Sequence, residues 1–155
     1  MSQVIENKLK DLGYALPAVA APAANYLPYR VAGRLIVVSG QLPMKEGKPH
    51  YIGKVGREVP LEQGKQAAVL CLLNVLAHLR AACDGNLDRV AQCLRLGVFV
   101  NAAEDFTQHP QVANGASDLI VGVFGDRGRH ARAAVGVSGL PLGVAVEIEG
   151  LFEIG

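Results

Sequence analysis

The residues of this chain best suited to chemistry lie in the segment Asp126–Glu149, DRGRHARAAVGVSGLPLGVAVEIE. Arg132 opens a run of small residues there. Its guanidinium can therefore stand over a shallow floor of Ala and Gly and hold a planar carboxylate through two parallel hydrogen bonds. After a turn, Glu147 is expected to return on the neighbouring strand. An arginine beside a lone carboxylate and apolar walls can bind an acid and handle a proton. The plainer alternative is that Arg132 pairs with Glu147 or Glu149 across strands, and spacing alone does not separate the two. Arg127, Arg129 and His130 read as a solvated loop.

Other reactive side chains are dispersed. His50, His78, His109 and His130 include no i, i+4 pair, so no metal site is expected from them, and His78 reads as a packed or partly solvated helix residue. Cys71, Cys83 and Cys93 are odd in number and contain no C-x-x-C pair, which argues for free thiols in a reducing compartment. Cys71 and Cys83 read as small core residues of one helix. Cys93, with Arg95 two positions on as its neighbour on the same strand face, is a poor nucleophile. The sequence lacks G-x-x-x-x-G-K-[ST], G-x-G-x-x-G, H-E-x-x-H and G-x-S-x-G, and so the common nucleotide, metalloprotease and serine-hydrolase fingerprints.

At 155 residues the chain has the size of one compact domain, and 50% hydrophobic residues suffice for a substantial core. Fifteen Lys and Arg against 14 Asp and Glu leave a formal charge of +1, so no general field attracts nucleic acid or an anionic membrane. The polar start MSQVIENKLKDLG, and Pro17 and Pro22 in the Ala-rich stretch behind it, give neither a signal peptide nor a membrane span. A cytoplasmic protein is expected.

The elements that must position Arg132 and Glu147 follow from periodicity. Ile5, Leu9 and Leu12 set a short amphipathic helix over residues 2–12, with Ser2 as N-cap and Gly13 past its end, followed by an extended Pro-interrupted connector over 15–28. Tyr29–Ala32 and Arg34–Ser39 flank Gly33 as paired strands, with RLIVVS as a buried one. Residues 44–59 read as a loop with at most a short edge strand, and Pro60 suits the first turn of a long helix from Leu61 to Cys83. Leu87–Val100 reads as a strand, with Val90, Leu94, Leu96, Val98 and Val100 on one face. A weaker helix over 104–124 and two strands joined by Leu140-Pro141-Leu142-Gly143 complete the chain. The order fits an α+β fold, a mixed β-sheet with two main helices on one face plus the short N-terminal helix. Residues 1–26 are expected as helix and connector, and 27–155 as a single domain.

Several motifs resemble those of one known family. Ala131-Arg132, then Val135, Val137, Leu140-Pro141 and Val146-Glu147-Ile148-Glu149 resemble the C-terminal signature of the RidA family, also called the YjgF family. Tyr29 in LPYRVAG resembles its early tyrosine segment, and Val38-Ser39-Gly40-Gln41-Leu42-Pro43 its S-G-Q-hydrophobic-Pro segment. Val98-Phe99-Val100 before Glu104-Asp105-Phe106 resembles its strand and following helix start, and Asn114 falls near a family asparagine. The resemblance covers about residues 27–155 and points to a longer-chain branch often labelled endoribonuclease L-PSP.

This resemblance implies a chorismate-mutase-like fold and a homotrimer with its sheets facing inward and ligand sites in the clefts between subunits. It also implies hydrolysis, without metal or organic cofactor, of small reactive imines and enamines such as 2-aminoacrylate and 2-iminobutyrate to 2-oxo acids and ammonia. Arg132 would then bind the substrate carboxylate, Glu147 would position or activate water, and Tyr29 would line the cleft. Asn114 and the backbone around Gly40 and Ala134 would add substrate-binding groups. Two other readings are a trimer that binds a small carboxylate for regulation without turnover, and an endoribonuclease using Arg127, Arg129, His130 and Arg132 against phosphates. The last conflicts with the low net charge and the lack of an aromatic stacking platform, so nucleic acid is not an expected partner.

Overall fold

The protein was analysed as a computed structural model, which describes residues 2–19 and 25–155. Residues 20–24 of the expected connector, Pro22 among them, lie outside the described part. The elements run α1 (Val4–Asp11), β1 (Tyr29–Ala32), β2 (Leu35–Gln41), β3 (Met44–Lys45), β4 (Lys48–Pro49), α2 (Leu61–Ala82), β5 (Val90–Asn101), α3 (His109–Phe124), β6 (Ala131–Val137) and β7 (Val146–Ile154). Five strands form one sheet in the order β1-β2-β7-β5-β6, and β3 with β4 makes a separate small hairpin. Only β5 and β6 are parallel, and α3 forms the crossover that joins them.

Strand alternation explains why the helices lie on one side. Ile36, Val38, Leu96, Val98, Val100, Val146, Ile148 and Phe152 are all essentially buried and face α2 and α3. Phe152 fits because Gly150, two residues before it on the same face, carries no side chain: a Cβ there would lie 2.6 Å from the ring. α2 and α3 meet closely at Gly115, where a Cβ would run into the Lys65 carbonyl. This is an α+β fold with a mixed sheet, two main helices on one face and a short N-terminal helix.

Several local details differ from the sequence reading. β2 is not a buried strand: Leu35 and Val37 are 39% and 52% exposed because no helix among the described residues covers the other face of the sheet. In β5 the pairing with β7 slips between Cys93 and Arg95, so Cys93 takes the core position expected of Leu94 while Arg95 turns to the open face. Cys93 and Arg95 therefore do not share a face. The N-terminal helix is not capped by Ser2. It starts after Gln3, and the Asp88 carboxylate accepts from the backbone N–H of Val4 (2.9 Å) and Ile5 (3.0 Å). Desolvation pushes the Asp88 pKa up, but these two bonds, together with a hydrogen bond from the Ser2 side chain and the charge of Arg127, more than offset it and hold the group below its ordinary value. Ile5 and Leu9 then anchor α1 in the main core.

Candidate active site

Arg132 lies on β6, an edge strand, in register with Leu96 and so on the helix-covered side. Its Nη1 donates to Asn114 Oδ1 (2.8 Å) and Ser117 Oγ (3.0 Å), both on α3. Asn114 and Ser117 are one helical turn apart, so they present two acceptors on one face of the helix. The guanidinium is half-buried and forms no ion pair with Glu147 or Glu149. With Nη1 engaged, Nε and Nη2 have no partner among the described residues, and they form the side edge that grips a carboxylate with two parallel bonds. Behind Ser117, its Oγ lies 2.8 Å from His130 Nε2, and His130 Nδ1 lies 2.6 Å from the Gly128 carbonyl.

Glu147 is not on the strand next to Arg132. β5 lies between β6 and β7, and Glu147 pairs with Phe99 on the open face of the sheet. The two groups therefore sit on opposite faces of one chain, which removes both the intrachain clamp with Glu147 and the cross-strand ion pair. Arg95, not Arg132, approaches Glu149, at 3.6 Å.

Glu147 has its own setting. In β2 the pairing with β7 shifts between Val38 and Gln41, so Ser39 and Gly40 form a bulge. The Glu147 carboxylate lies against Gly40, where a Cβ would overlap it. Burial, and then the charge of Glu149, raise its pKa above the ordinary 4.5. Gly97, directly opposite Glu149, is closed to a Cβ in the same way.

Tyr29 pairs with Val38 on the helix-covered side of β1, the far edge from Arg132. Four strand spacings separate the two edges, about 19 Å. Ala134 pairs with Val98 on β6, two residues from Arg132 on the same side. Arg132 and Asn114 are thus brought together, as are Gly40 and Glu147, while Tyr29, whose strand partner Val38 is two residues from Gly40, lies at the far edge from Arg132 and on the other face of the sheet from Glu147.

The loop before β6 is more ordered than expected. His130 is held at both ring nitrogens, and Arg127 donates from Nη1 to the Val90 carbonyl (2.8 Å) while its guanidinium lies 5.8 Å from the centre of the Phe124 ring. Sequence reasoning missed Ser117 altogether. Its signal is the Asn114-x-x-Ser117 spacing on an otherwise apolar helix, which becomes legible only once Arg132 is known to face that helix. All three thiols are buried, and burial pushes Cys93 up to about 12. Among the described residues no three His, Cys, Asp or Glu side chains converge to hold a metal ion. Nor is any helix among them long and apolar enough to cross a membrane.

Comparison with known proteins agrees with this architecture. Residues 6–152 match the family model described as "YjgF/chorismate mutase-like, putative endoribonuclease". The chain belongs to the YjgF family. Protein TCP17 of Trypanosoma cruzi is 48% identical over 147 residues that cover 94% of this chain and 91% of that one. The crystal structure of the protein Atu1372 from Agrobacterium tumefaciens shares 46% identity and superposes with a TM-score of 0.93, over 98% of this chain and 93% of that one. At the level of the fold alone, the YjgF architecture is shared with Escherichia coli TdcF, solved with bound serine (20% identity, TM-score 0.61, 90% of this chain and 93% of that one).

Proposed function

We propose that this YjgF-family protein is a cofactor-independent hydrolase of small 2-imino and enamine acids, working in clefts between the subunits of a homotrimer. The observation that carries this reading is the tethered Arg132, whose Nη1 is engaged by Asn114 and Ser117 while its Nε–Nη2 edge is left for a ligand carboxylate. A single chain keeps this anchor and Glu147 on opposite faces of its sheet. Trimerisation through the open face, where Val37 and Val135 are about half exposed, brings the β6 edge of one copy against β2 and β7 of another. Tyr29 and the backbone at Gly40 and Ala134 then line the same cleft. Buried, unpaired thiols suit a cytoplasmic setting.

In the cleft, Arg132 holds the carboxylate and so fixes the adjacent C=N carbon. Glu147 takes a proton from a water molecule, whose oxygen adds to that carbon, and passes it to the imine nitrogen. From the resulting carbinolamine Glu147 takes the hydroxyl proton and delivers it to the amine nitrogen as the C–N bond breaks and the C=O bond forms, so that ammonia leaves and the carboxylate is regenerated. The balance is imino acid plus water to 2-oxo acid plus ammonia. A carboxyl with a raised pKa serves both steps, since proton transfer is most efficient when the pKa approaches the working pH.

The RNA-cleaving reading is weaker on geometry. Arg127 donates to the Val90 carbonyl and both ring nitrogens of His130 have partners inside the protein, which leaves Arg129 and one edge of Arg132 for phosphates.

The test is the decay of freshly generated 2-aminoacrylate or 2-iminobutyrate with the wild-type protein and with Arg132→Ala. We expect acceleration by the wild type and at least a hundredfold loss in the variant. Binding of 2-oxobutyrate without turnover would leave a carboxylate-binding regulatory trimer. Salt-sensitive RNA cleavage, with no binding of 2-oxobutyrate, would overturn the proposal.

A further inference from the structure

Behind Arg132 lies a hydrogen-bond chain whose direction is set by the chemistry of its last member. The Gly128 carbonyl can only accept, so His130 Nδ1, 2.6 Å away, carries a proton. In the neutral ring Nε2 is then an acceptor, and Ser117, at 2.8 Å, must give it the hydroxyl proton. Having donated there, Ser117 Oγ offers only lone pairs to its other neighbour, the Arg132 Nη1–H at 3.0 Å. With the ring neutral the chain runs one way, from Arg132 to Ser117 to His130 to the Gly128 carbonyl. Asn114 Oδ1 takes the other Nη1–H at 2.8 Å.

We propose that Ser117 and His130 are positioning residues for Arg132. They hold the guanidinium in one rotation, so that its Nε–Nη2 edge, and not the Nη1–Nη2 end, meets the ligand carboxylate. This deepens the reading of the cleft as a carboxylate site and rests on it. Two acceptors on α3 fix the plane of the guanidinium, because a rigid planar fork bonded at two points cannot turn about its last bond without losing one of them. A carboxylate received by a fixed edge is itself fixed in plane, and with it the C=N carbon next to it. His130 acts at one remove: by claiming the Ser117 proton it keeps that hydroxyl an acceptor towards Arg132. Without His130, Ser117 can rotate and direct its proton elsewhere.

The test uses the full-length protein and the variants Ser117→Ala, Ser117→Thr and His130→Phe. Each is first shown to keep the wild-type circular dichroism spectrum. Titration with 2-oxobutyrate should show roughly tenfold weaker binding for Ser117→Ala, about threefold weaker for His130→Phe, and near wild-type binding for Ser117→Thr, which keeps the hydroxyl. With imino acid as substrate KM should rise by about the same factors, and kcat should fall as well, since the C=N carbon is then held less firmly. Two nitrogen NMR readouts need no ligand. His130 should be the Nδ1–H tautomer, and the Arg132 Nη1 protons should be resolved in the wild type and averaged in Ser117→Ala.

Unchanged 2-oxobutyrate affinity in a folded Ser117→Ala variant would overturn the proposal, and so would a proton on His130 Nε2, in the Nε2–H tautomer or in the imidazolium. If the wild type binds no 2-oxobutyrate, the carboxylate reading itself fails. The tautomer and the Arg132 resonances then still decide whether the relay exists, so the two failures are distinguishable.

Discussion

The two faces of the central sheet are built from the same five strands, yet one is finished and the other is not. On the helix-covered face Ile36, Val38, Leu96, Ile148 and Phe152 are at most 1% exposed. On the open face, residues one position along the same strands tell another story: Leu35 and Val37 keep 39% and 52% of their surface, and Glu147 and Glu149 stand beside Gly40 and Gly97. Alternation along a strand gives each residue a face, but what covers that face comes from elsewhere in the chain or from another chain. The covered face supplies stability. The open face leaves Leu35 and Val37 at the surface and the Glu147 carboxylate in the space that Gly40 leaves.

The sharpest way to break this contrast is to substitute one residue on either side. Phe152→Ala removes a fully buried ring over Gly150, and should cost about 3–5 kcal/mol in chemical denaturation. Val37→Lys, on the neighbouring strand but on the open face, should leave the folding of one subunit within about 0.5 kcal/mol. It should instead lower the assembly state in sedimentation, since it puts a charge into the proposed subunit contact. Equal losses of folding stability would mean that the open face is as much a core as the other.

Gly40→Ala separates space from stability. The added Cβ would meet the far end of the Glu147 side chain, a flexible group that can move aside. Folding stability should therefore change by less than about 1 kcal/mol. Imine hydrolysis should fall ten- to a hundredfold, because the carboxylate is displaced from the water it directs. The matched change Gly115→Ala drives a Cβ into the Lys65 backbone carbonyl between α2 and α3, where nothing can rotate away. It should be the reverse case, with about 1–3 kcal/mol lost in stability and little change in the catalytic constant of the protein that remains folded.

The same contrast explains what could be read from residue order. The long helix, the paired strands around Gly33, and the Val146/Ile148 against Glu147/Glu149 alternation follow from local periodicity, and the structure has them. Strand order is not local. Glu147 follows Arg132 closely in the chain, but β5 inserts between their strands because it pairs with both β6 and β7. A slip near Leu94 likewise moved Cys93 to the core face and left Arg95 on the open one, which no alternation count detects. Ser117 and His130 were illegible for a further reason: their role depends on which side of β6 faces α3. Asp88, distant in sequence, replaced Ser2 as the cap of α1 for the same kind of reason.

The smallest effect is the most specific to the open face. Burial and the charge of Glu149 raise the Glu147 pKa, so the folded protein binds this proton more tightly than the unfolded chain does. Its contribution is complete below 4.5 and is lost as pH rises through the higher folded value. Glu147→Gln, neutral at every pH, should therefore melt slightly higher than the wild type at pH 7 to 8, and the difference should close as the pH falls towards 4.5. Half-exposure and screening keep the gap within about 1 kcal/mol. Activity should be lost at all pH values, since an amide cannot accept the water proton. Melting curves for both proteins from pH 4 to 8 check the sign. A variant less stable than the wild type at neutral pH would mean that the carboxylate is held by favourable bonds on the open face, and not kept there against its own desolvation.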